Sequence, residues 1–175
     1  MANTFTLIST ITVGSGGASS IDFTSIPSTF TDLCLKYSTR SPYAQIYDPV
    51  GLQINGDTGN NYYTRRLYGN GASVISDIPS NPSTLAAIGL SVGGSATAST
   101  FGNIEIYFPN AFGSTQKSFS GDAVSENNAT TAYATLTAHL WTGTSAITSF
   151  KILPANGTST FAQFSSASLY GILKA

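Results

Sequence analysis

Residues 131–141 have the sequence TAYATLTAHLW, in which two kinds of side chain alternate without interruption. A period of two is the pattern of a β-strand, because successive side chains point to opposite faces of a sheet. One face would carry polar and aromatic side chains, namely Tyr133, Thr135, Thr137, His139 and Trp141. The other face would carry only alanine and leucine. We therefore expect a long strand whose alanine and leucine face is buried.

The same alternation recurs along the chain and favours an all-β protein. Clusters of Gly, Pro, Asn and Ser separate the alternating segments at short intervals, which is typical of an antiparallel β-sandwich or barrel. Two sheets packed face to face, in a jelly-roll-like manner, are favoured because each alternating segment implies one solvated face. Almost no helix is expected, since the strongest helix signal, residues 83–88, is long enough for a single turn.

The sequence predicts about a dozen strands in one domain. The candidate strands are residues 5–13, 21–23, 33–38, 50–55, 61–68, 72–78, 85–92, 103–108, 117–125, 131–141, 147–153, 161–164 and 168–173. No linker, charge block or internal repeat divides them, so residues 1–175 are expected to form a single β-sandwich domain.

Reactive and charged side chains are scarce. Only 9% of the 175 residues are charged, the formal net charge is −1, and there is one His and one Cys. The few scattered cations exclude an electrostatic surface for nucleic acid, and one His with one Cys excludes a zinc site. His139, on the polar side of its strand, is expected at the surface rather than in a catalytic triad. We expect no enzyme activity, no cofactor and no bound metal.

The chain also lacks the usual signals for a membrane. No segment approaches the ~20 apolar residues that a transmembrane helix needs, and the first five residues resemble no signal peptide. We expect no membrane partner and synthesis in a cytoplasm. Cys34 lies in the apolar run of residues 33–35 and is expected to be a small apolar side chain of the core.

The loop of residues 55–61, Asn-Gly-Asp-Thr-Gly-Asn-Asn, carries the densest set of oxygen-bearing side chains in the chain. Such oxygen atoms are the ligands that Ca²⁺ prefers, and Asp57 would be the ligand if a cation binds. The same residues also describe a tight turn, in which glycine supplies positive φ and Asn or Asp bonds the local backbone. The plain turn is favoured because the loop lacks the Glu and the spacing of an EF-hand.

Aromatic and arginine side chains near this loop are candidates for contact with a partner. Tyrosine beside Ser, Asn and Gly is common in contact surfaces, since it offers a large rigid area. Adjacent Arg65 and Arg66 point to opposite faces of their strand, and one of them is expected to pair with an acid or to reach a partner. The candidate contact residues are Tyr62, Tyr63, Arg65, Arg66, Tyr68 and Trp141. The alternative is that the aromatic side chains are ordinary half-buried members of a sandwich.

Several short segments resemble virion structural proteins of tailed bacteriophages. Residues 50–62 continue into Arg-Arg-Leu-Tyr-Gly-Asn-Gly at 65–71 and resemble a hairpin common in such proteins. Residues 11–27, with Ile-Thr-Val-Gly-Ser followed by Ile-Asp-Phe and Ile-Pro, and the closing segment 168–172 are similar to their first and last strands.

The resemblance implies a β-sandwich on the exterior of a virion, made in the host cytoplasm and commonly assembled as a homotrimer. The first expectation is a capsid decoration (cement) protein that binds the major capsid protein or other virion proteins and stabilises the head. The absence of a stalk-forming repeat favours it. The alternative is a tail-fibre or receptor-binding module that recognises host-surface glycan through Tyr62, Tyr63 or Trp141, and a third is a surface-glycan hydrolase. The resemblance brings no catalytic residues.

Overall fold

The structure is a computed structural model that describes residues 4–79, 81–128, 131–157 and 159–173. Over these residues the chain forms twelve β-strands and no helix, which confirms the all-β prediction. The strands are β1 (Phe5–Thr12), β2 (Ile21–Phe23), β3 (Asp32–Ser38), β4 (Tyr47–Ile54), β5 (Tyr62–Gly69), β6 (Val74–Asp77), β7 (Ala86–Val92), β8 (Asn103–Phe108), β9 (Lys117–Ser125), β10 (Tyr133–Trp141), β11 (Phe150–Pro154) and β12 (Ser166–Ile172). None of the described segments is a helix that could cross a membrane.

The strands form two antiparallel sheets that pack face to face. The larger sheet has the order β1-β12-β3-β8-β9-β10-β5-β6, and the smaller sheet has the order β2-β11-β4-β7. Within them, β1-β12-β3-β8 faces β2-β11-β4-β7, and the chain crosses repeatedly from one sheet to the other. The first strand pairs with the last. This is the arrangement of a jelly roll, so the predicted sandwich is confirmed.

Two insertions extend the larger sheet beyond the jelly roll. β5 and β6 follow β4, β9 and β10 follow β8, and the four inserted strands lie side by side in the order β9-β10-β5-β6. We call these four strands the wing. The inner face of the wing packs against β7, the last strand of the smaller sheet. Within the described residues, no further layer covers its outer face.

The core lies between the two sheets and consists mostly of aliphatic and aromatic side chains. Leu35, Leu52 and Ile106 are fully buried, as β-branched and leucine side chains on inner strand faces are expected to be. The ring of Phe108 lies 4.6 Å from the ring of Phe119 and 4.7 Å from the ring of Phe150, between centroids. These stacked rings join the larger sheet to β11 of the smaller one.

The long strand β10 buries the opposite face to the one predicted. In β10 the side chains of Thr135, Thr137, His139 and Trp141 are buried, whereas Leu136 is 58% exposed. Alternation fixes which side chains share a face but not which face is covered. The covered face of β10 is the one that meets β7, and large side chains fill that space. The expectation of a surface histidine and of a buried alanine and leucine face was therefore wrong.

Two further predictions are corrected, and one feature of β1 was not predicted. Residues 83–88 form no helical turn, because Tyr62 and Ser83 are bridged as extended chain and β7 begins at Ala86. Residues 161–164 form no strand but only an isolated bridge between Phe161 and Ala18. In β1 a bulge between Leu7 and Ser9 shifts the alternation, so Leu7 is exposed although it is apolar.

Cys34 is buried, as predicted, but it lies outside the core between the sheets. Its cross-strand neighbours are Tyr107 and Tyr170 on the outer face of the larger sheet. Burial, together with the charge of Glu105, raises the pKa of the Cys34 thiol to about 11. The thiol is therefore protonated and unreactive at neutral pH.

Candidate contact surface

The outer face of the wing is apolar and open. Val74 is 76% exposed, Leu136 58%, Leu67 44% and Val124 42%. Two exposed alanines of β10 lie between them. We call this surface the apolar wing face, and it consists of Leu67, Val74, Val124, Ala134, Leu136 and Ala138.

The strand register makes these side chains one continuous patch. Leu136 lies opposite Leu67 on one side and opposite Asp122 on the other, and Ala134 lies opposite Val124. Val74 pairs with Gly69, which has no side chain, so a shallow depression opens between Val74 and Ala134. Exposed apolar side chains therefore adjoin one another across the wing, and a continuous uncovered patch of this kind is often functional.

Charged side chains border the apolar wing face on two sides. Arg65 lies opposite Ala138, and its guanidinium donates to the neighbouring carbonyl oxygen of Thr64 at 3.2 Å. Asp122 lies opposite Leu136, on the other side of β10. An apolar centre with a charged rim is the usual composition of a protein–protein contact surface.

Tyr63 and Arg65 are the predicted contact residues that the structure places on this outer face. Both are exposed, and they alternate along β5 with inward-pointing side chains. Tyr63 lies opposite Leu140 and therefore continues the apolar wing face toward the end of β5.

Tyr62 and Trp141 are buried and are corrected as contact residues. Tyr62 is fully buried, and its hydroxyl accepts a hydrogen bond from the Ile54 amide at 2.8 Å. Burial raises the pKa of Tyr62 to about 12. Trp141 is only 3% exposed, and its indole N–H donates to an Asp57 carboxylate oxygen at 2.7 Å. The inner face of the wing needs large side chains to meet β7, which explains why these rings point inward.

Arg66 and Tyr68 point to the inner face and lie half-buried near the edge of the sheet. Arg66 forms two hydrogen bonds with Asp77 of β6, at 2.9 Å and 2.6 Å, and its guanidinium lies 4.6 Å from the centre of the Tyr68 ring. The prediction that the two arginines point apart, with one of them paired to an acid, is confirmed. The hydrogen bond to Asp77 raises the pKa of Arg66, which remains a cation.

The carboxylate of Asp57 is fully occupied by groups of the protein. It accepts hydrogen bonds from the Trp141 indole, from the Gly59 amide at 2.8 Å, and from the Asn61 side-chain amide at 2.9 Å and 3.1 Å. Desolvation raises the pKa of this carboxyl, but the hydrogen bonds outweigh it and the pKa lies below its usual value. The loop is therefore a hydrogen-bonded turn, and no cluster of metal ligands occurs among the described residues.

Replacing Asp57 with Ala is expected to lower the free energy of unfolding by about 2 kcal/mol, because the buried indole N–H loses its acceptor. Urea denaturation checks this value. Asp22→Ala is the matched control, since Asp22 is exposed on β2 and should change stability by less than about 0.5 kcal/mol. If both variants lose the same free energy of unfolding, the hydrogen bonds of Asp57 do not stabilise the turn.

His139 is a buried neutral side chain, not a surface or catalytic one. It is 3% exposed, its Nδ1 lies 3.0 Å from the Thr64 hydroxyl, and its ring stacks on Phe119 at 4.7 Å. Burial lowers the pKa of His139 to about 3. Among the contacts of the described residues, no carboxylate or hydroxyl is hydrogen-bonded to its Nε2. The contacts of His139 with Thr64 and Phe119 are therefore packing contacts of the core.

Sequence reasoning missed the residues of the apolar wing face. The signal was present, since residues 131–141 set alanine and leucine on one side of a strand. An apolar strand face is ordinarily buried, and that rule assigned it to the core. In this protein the apolar side of β10 is the exposed one.

Comparison with known proteins adds no family to this description. No model of a protein family matches the chain. A search of curated proteins likewise finds no significant match.

Proposed function

We propose that the protein is a structural protein of a bacteriophage virion that decorates the capsid shell and stabilises the head. The observation that carries the proposal is the apolar wing face, a broad uncovered surface on strands that are inserted into a jelly roll. Functions commonly reside in such additions to a common fold. The short sequence segments that resemble phage virion proteins supply the biological context.

In this proposal the apolar wing face docks on the major capsid protein or on other virion proteins. Leu136 and Leu67 lie at its centre, where burial stabilises a complex most, and Arg65 and Asp122 lie at its rim. Burial of these apolar side chains contributes about 25 cal/mol per Å² before the entropic cost of association is subtracted. Such binding needs no chemical step, so the proposal assigns no catalytic step, cofactor or metal.

The receptor-binding alternative has less support. Two of the three aromatic side chains proposed to recognise glycan, Tyr62 and Trp141, are buried in the core of the wing. Tyr63 is 37% exposed but belongs to an apolar patch rather than to a polar groove. Decoration of a protein shell is therefore the function that the exposed surface supports best.

Virus particles that lack the protein are expected to rupture at a temperature several degrees lower than complete particles, because bridging contacts between shell subunits are lost. The release of genomic DNA during heating, followed with a fluorescent dye, measures the rupture temperature. Adding purified protein back should restore it. Equal rupture temperatures in depleted and complete particles would reject the proposed function.

A further inference from the structure

The two sheets end in four edge strands, β1, β6, β2 and β7. An edge strand presents unpaired backbone N–H and C=O groups, and native proteins shorten, charge or cover such strands to prevent unwanted pairing. β6 has four residues and includes Asp77, and β2 has three residues and includes Asp22. Both are therefore short and charged.

β7 is covered rather than charged. Nearly all of its residues are buried, and the segment that follows β3 runs along its end. The Ser41 amide donates to the Val92 carbonyl oxygen at 2.8 Å, and the Val92 amide donates to the Thr39 carbonyl oxygen at 3.4 Å. At Val92 the edge is therefore not available to another chain.

Within the part of the chain that the structure describes, β1 has neither kind of protection around Thr10 and Thr12. It spans eight residues, contains no charged residue and no proline, and pairs with β12 alone among the described strands. Its outer side chains Phe5 and Leu7 are 46% and 53% exposed. Ile8 and Ile11 pack only partly against the core. A long apolar edge of this kind is a template for strand addition.

The direction of the backbone shows which groups of β1 are free to pair. The Val13 amide donates to the Ser165 carbonyl oxygen, on the side of β12. Backbone groups alternate between the two sides of a strand. Thr12 and Thr10 therefore direct their N–H and C=O groups away from β12, toward the open side.

The composition of β1 favours a second copy of the same chain as its occupant. Antiparallel pairing of identical strands around a two-fold axis brings equivalent residues near each other, and a charged strand would repel itself. β1 is uncharged, and the whole chain carries a formal net charge of only −1. The charged edges β2 and β6 do not meet this condition.

We propose that two copies of the chain pair antiparallel along β1 around a two-fold axis perpendicular to the sheet. The product is a dimer in which the two larger sheets form one continuous sheet. Because the axis is perpendicular to the sheet, both copies turn the apolar wing face to the same side. The dimer goes beyond the proposed function and does not depend on it, but two faces on one side would strengthen docking to a shell of repeated subunits.

Sedimentation equilibrium of the purified full chain over a wide concentration range tests the proposal. The expected result is a monomer–dimer equilibrium that Thr10→Pro weakens by at least about tenfold, because proline removes the outward N–H while β12 pairing is retained. Ser76→Pro is the matched control on edge strand β6, and it should leave the dimer unchanged. Circular dichroism and urea denaturation verify that each variant is folded.

A second variant keeps the test decisive if Thr10→Pro fails to fold. Thr10→Lys sets like charges near the two-fold axis, so it should weaken the dimer at low salt and recover at high salt. A native chain that stays monomeric at every concentration overturns the proposal. A homotrimer, or a dimer that Thr10→Pro and Thr10→Lys leave intact, also overturns it. Neither result bears on the rupture temperature of particles, which tests the proposed function separately.

Discussion

Lowering the pH from 7 to 4 is expected to reduce the free energy of unfolding by about 3 kcal/mol, because His139 must stay neutral in the folded protein. Burial lowers its pKa from 6.5 to about 3. Between these two values the unfolded chain binds a proton that the native protein does not bind, so stability decreases as the pH falls. The contribution is fully present above pH 6.5 and is lost progressively toward pH 3.

Asp57 adds to this effect only at lower pH. Desolvation raises the pKa of Asp57, but hydrogen bonds from Trp141, Gly59 and Asn61 outweigh it and hold the pKa below its ordinary value of 3.8. Protonation of Asp57 therefore begins to destabilise the fold only near and below pH 4. The contribution of His139 is thus lost at a higher pH than the contribution of Asp57.

Urea denaturation at a series of pH values, with native protein and His139→Asn, separates this contribution from all others. Asn preserves a hydrogen-bonding atom near Thr64 but cannot titrate. The variant should be less stable at pH 7, yet its stability should change little from pH 6.5 to 4. The same pH dependence in both proteins would show that His139 is not the responsible group.

Most of the fold could be predicted from the sequence because local sequence patterns indicate antiparallel strands. Alternating side chains and intervening turn residues located all twelve strands to within three residues at each end, and β7 was found despite its competing helical signal. The bulge in β1 escaped prediction. The bulge adds one residue and so shifts the alternation. Residues 5–13 contain no glycine or proline that would indicate a bulge.

The contact surface could be predicted only in part, since it depends on which strand faces are covered. That choice is made by distant elements: β7 packs on the inner face of the wing and buries Trp141 and His139. Local sequence says nothing about this packing. Arg65 and Arg66 were assigned to opposite faces correctly, because that inference needs only the geometry of a single strand.

If the proposed function is correct, Leu136→Asp should weaken binding to the shell by about 100-fold, because a carboxylate buried without a partner costs roughly 3 kcal/mol or more. Leu136 occupies the centre of the apolar wing face, opposite Leu67. Its side chain is 58% exposed in the free protein, so the free energy of unfolding should change by less than about 1 kcal/mol. A large loss of affinity without a loss of stability is the signature of a contact residue.

Phe164→Asp is the matched control. Phe164 is 69% exposed, lies in the segment before β12, and is absent from the apolar wing face. Its positive φ is a conformation that Asp tolerates better than most residues. The control adds the same charge in place of a large apolar side chain, so it should bind the shell as the native protein does.

The role of the apolar wing face can be tested by titrating shells that have been stripped of the protein. The titrations use the native protein, Leu136→Asp and Phe164→Asp. We expect saturable binding of the native protein and of Phe164→Asp. The affinity of Leu136→Asp for the shell should be lower by about two orders of magnitude. Equal binding of all three proteins, or no binding of the native protein, would contradict the claim that the apolar wing face holds this protein to its partner.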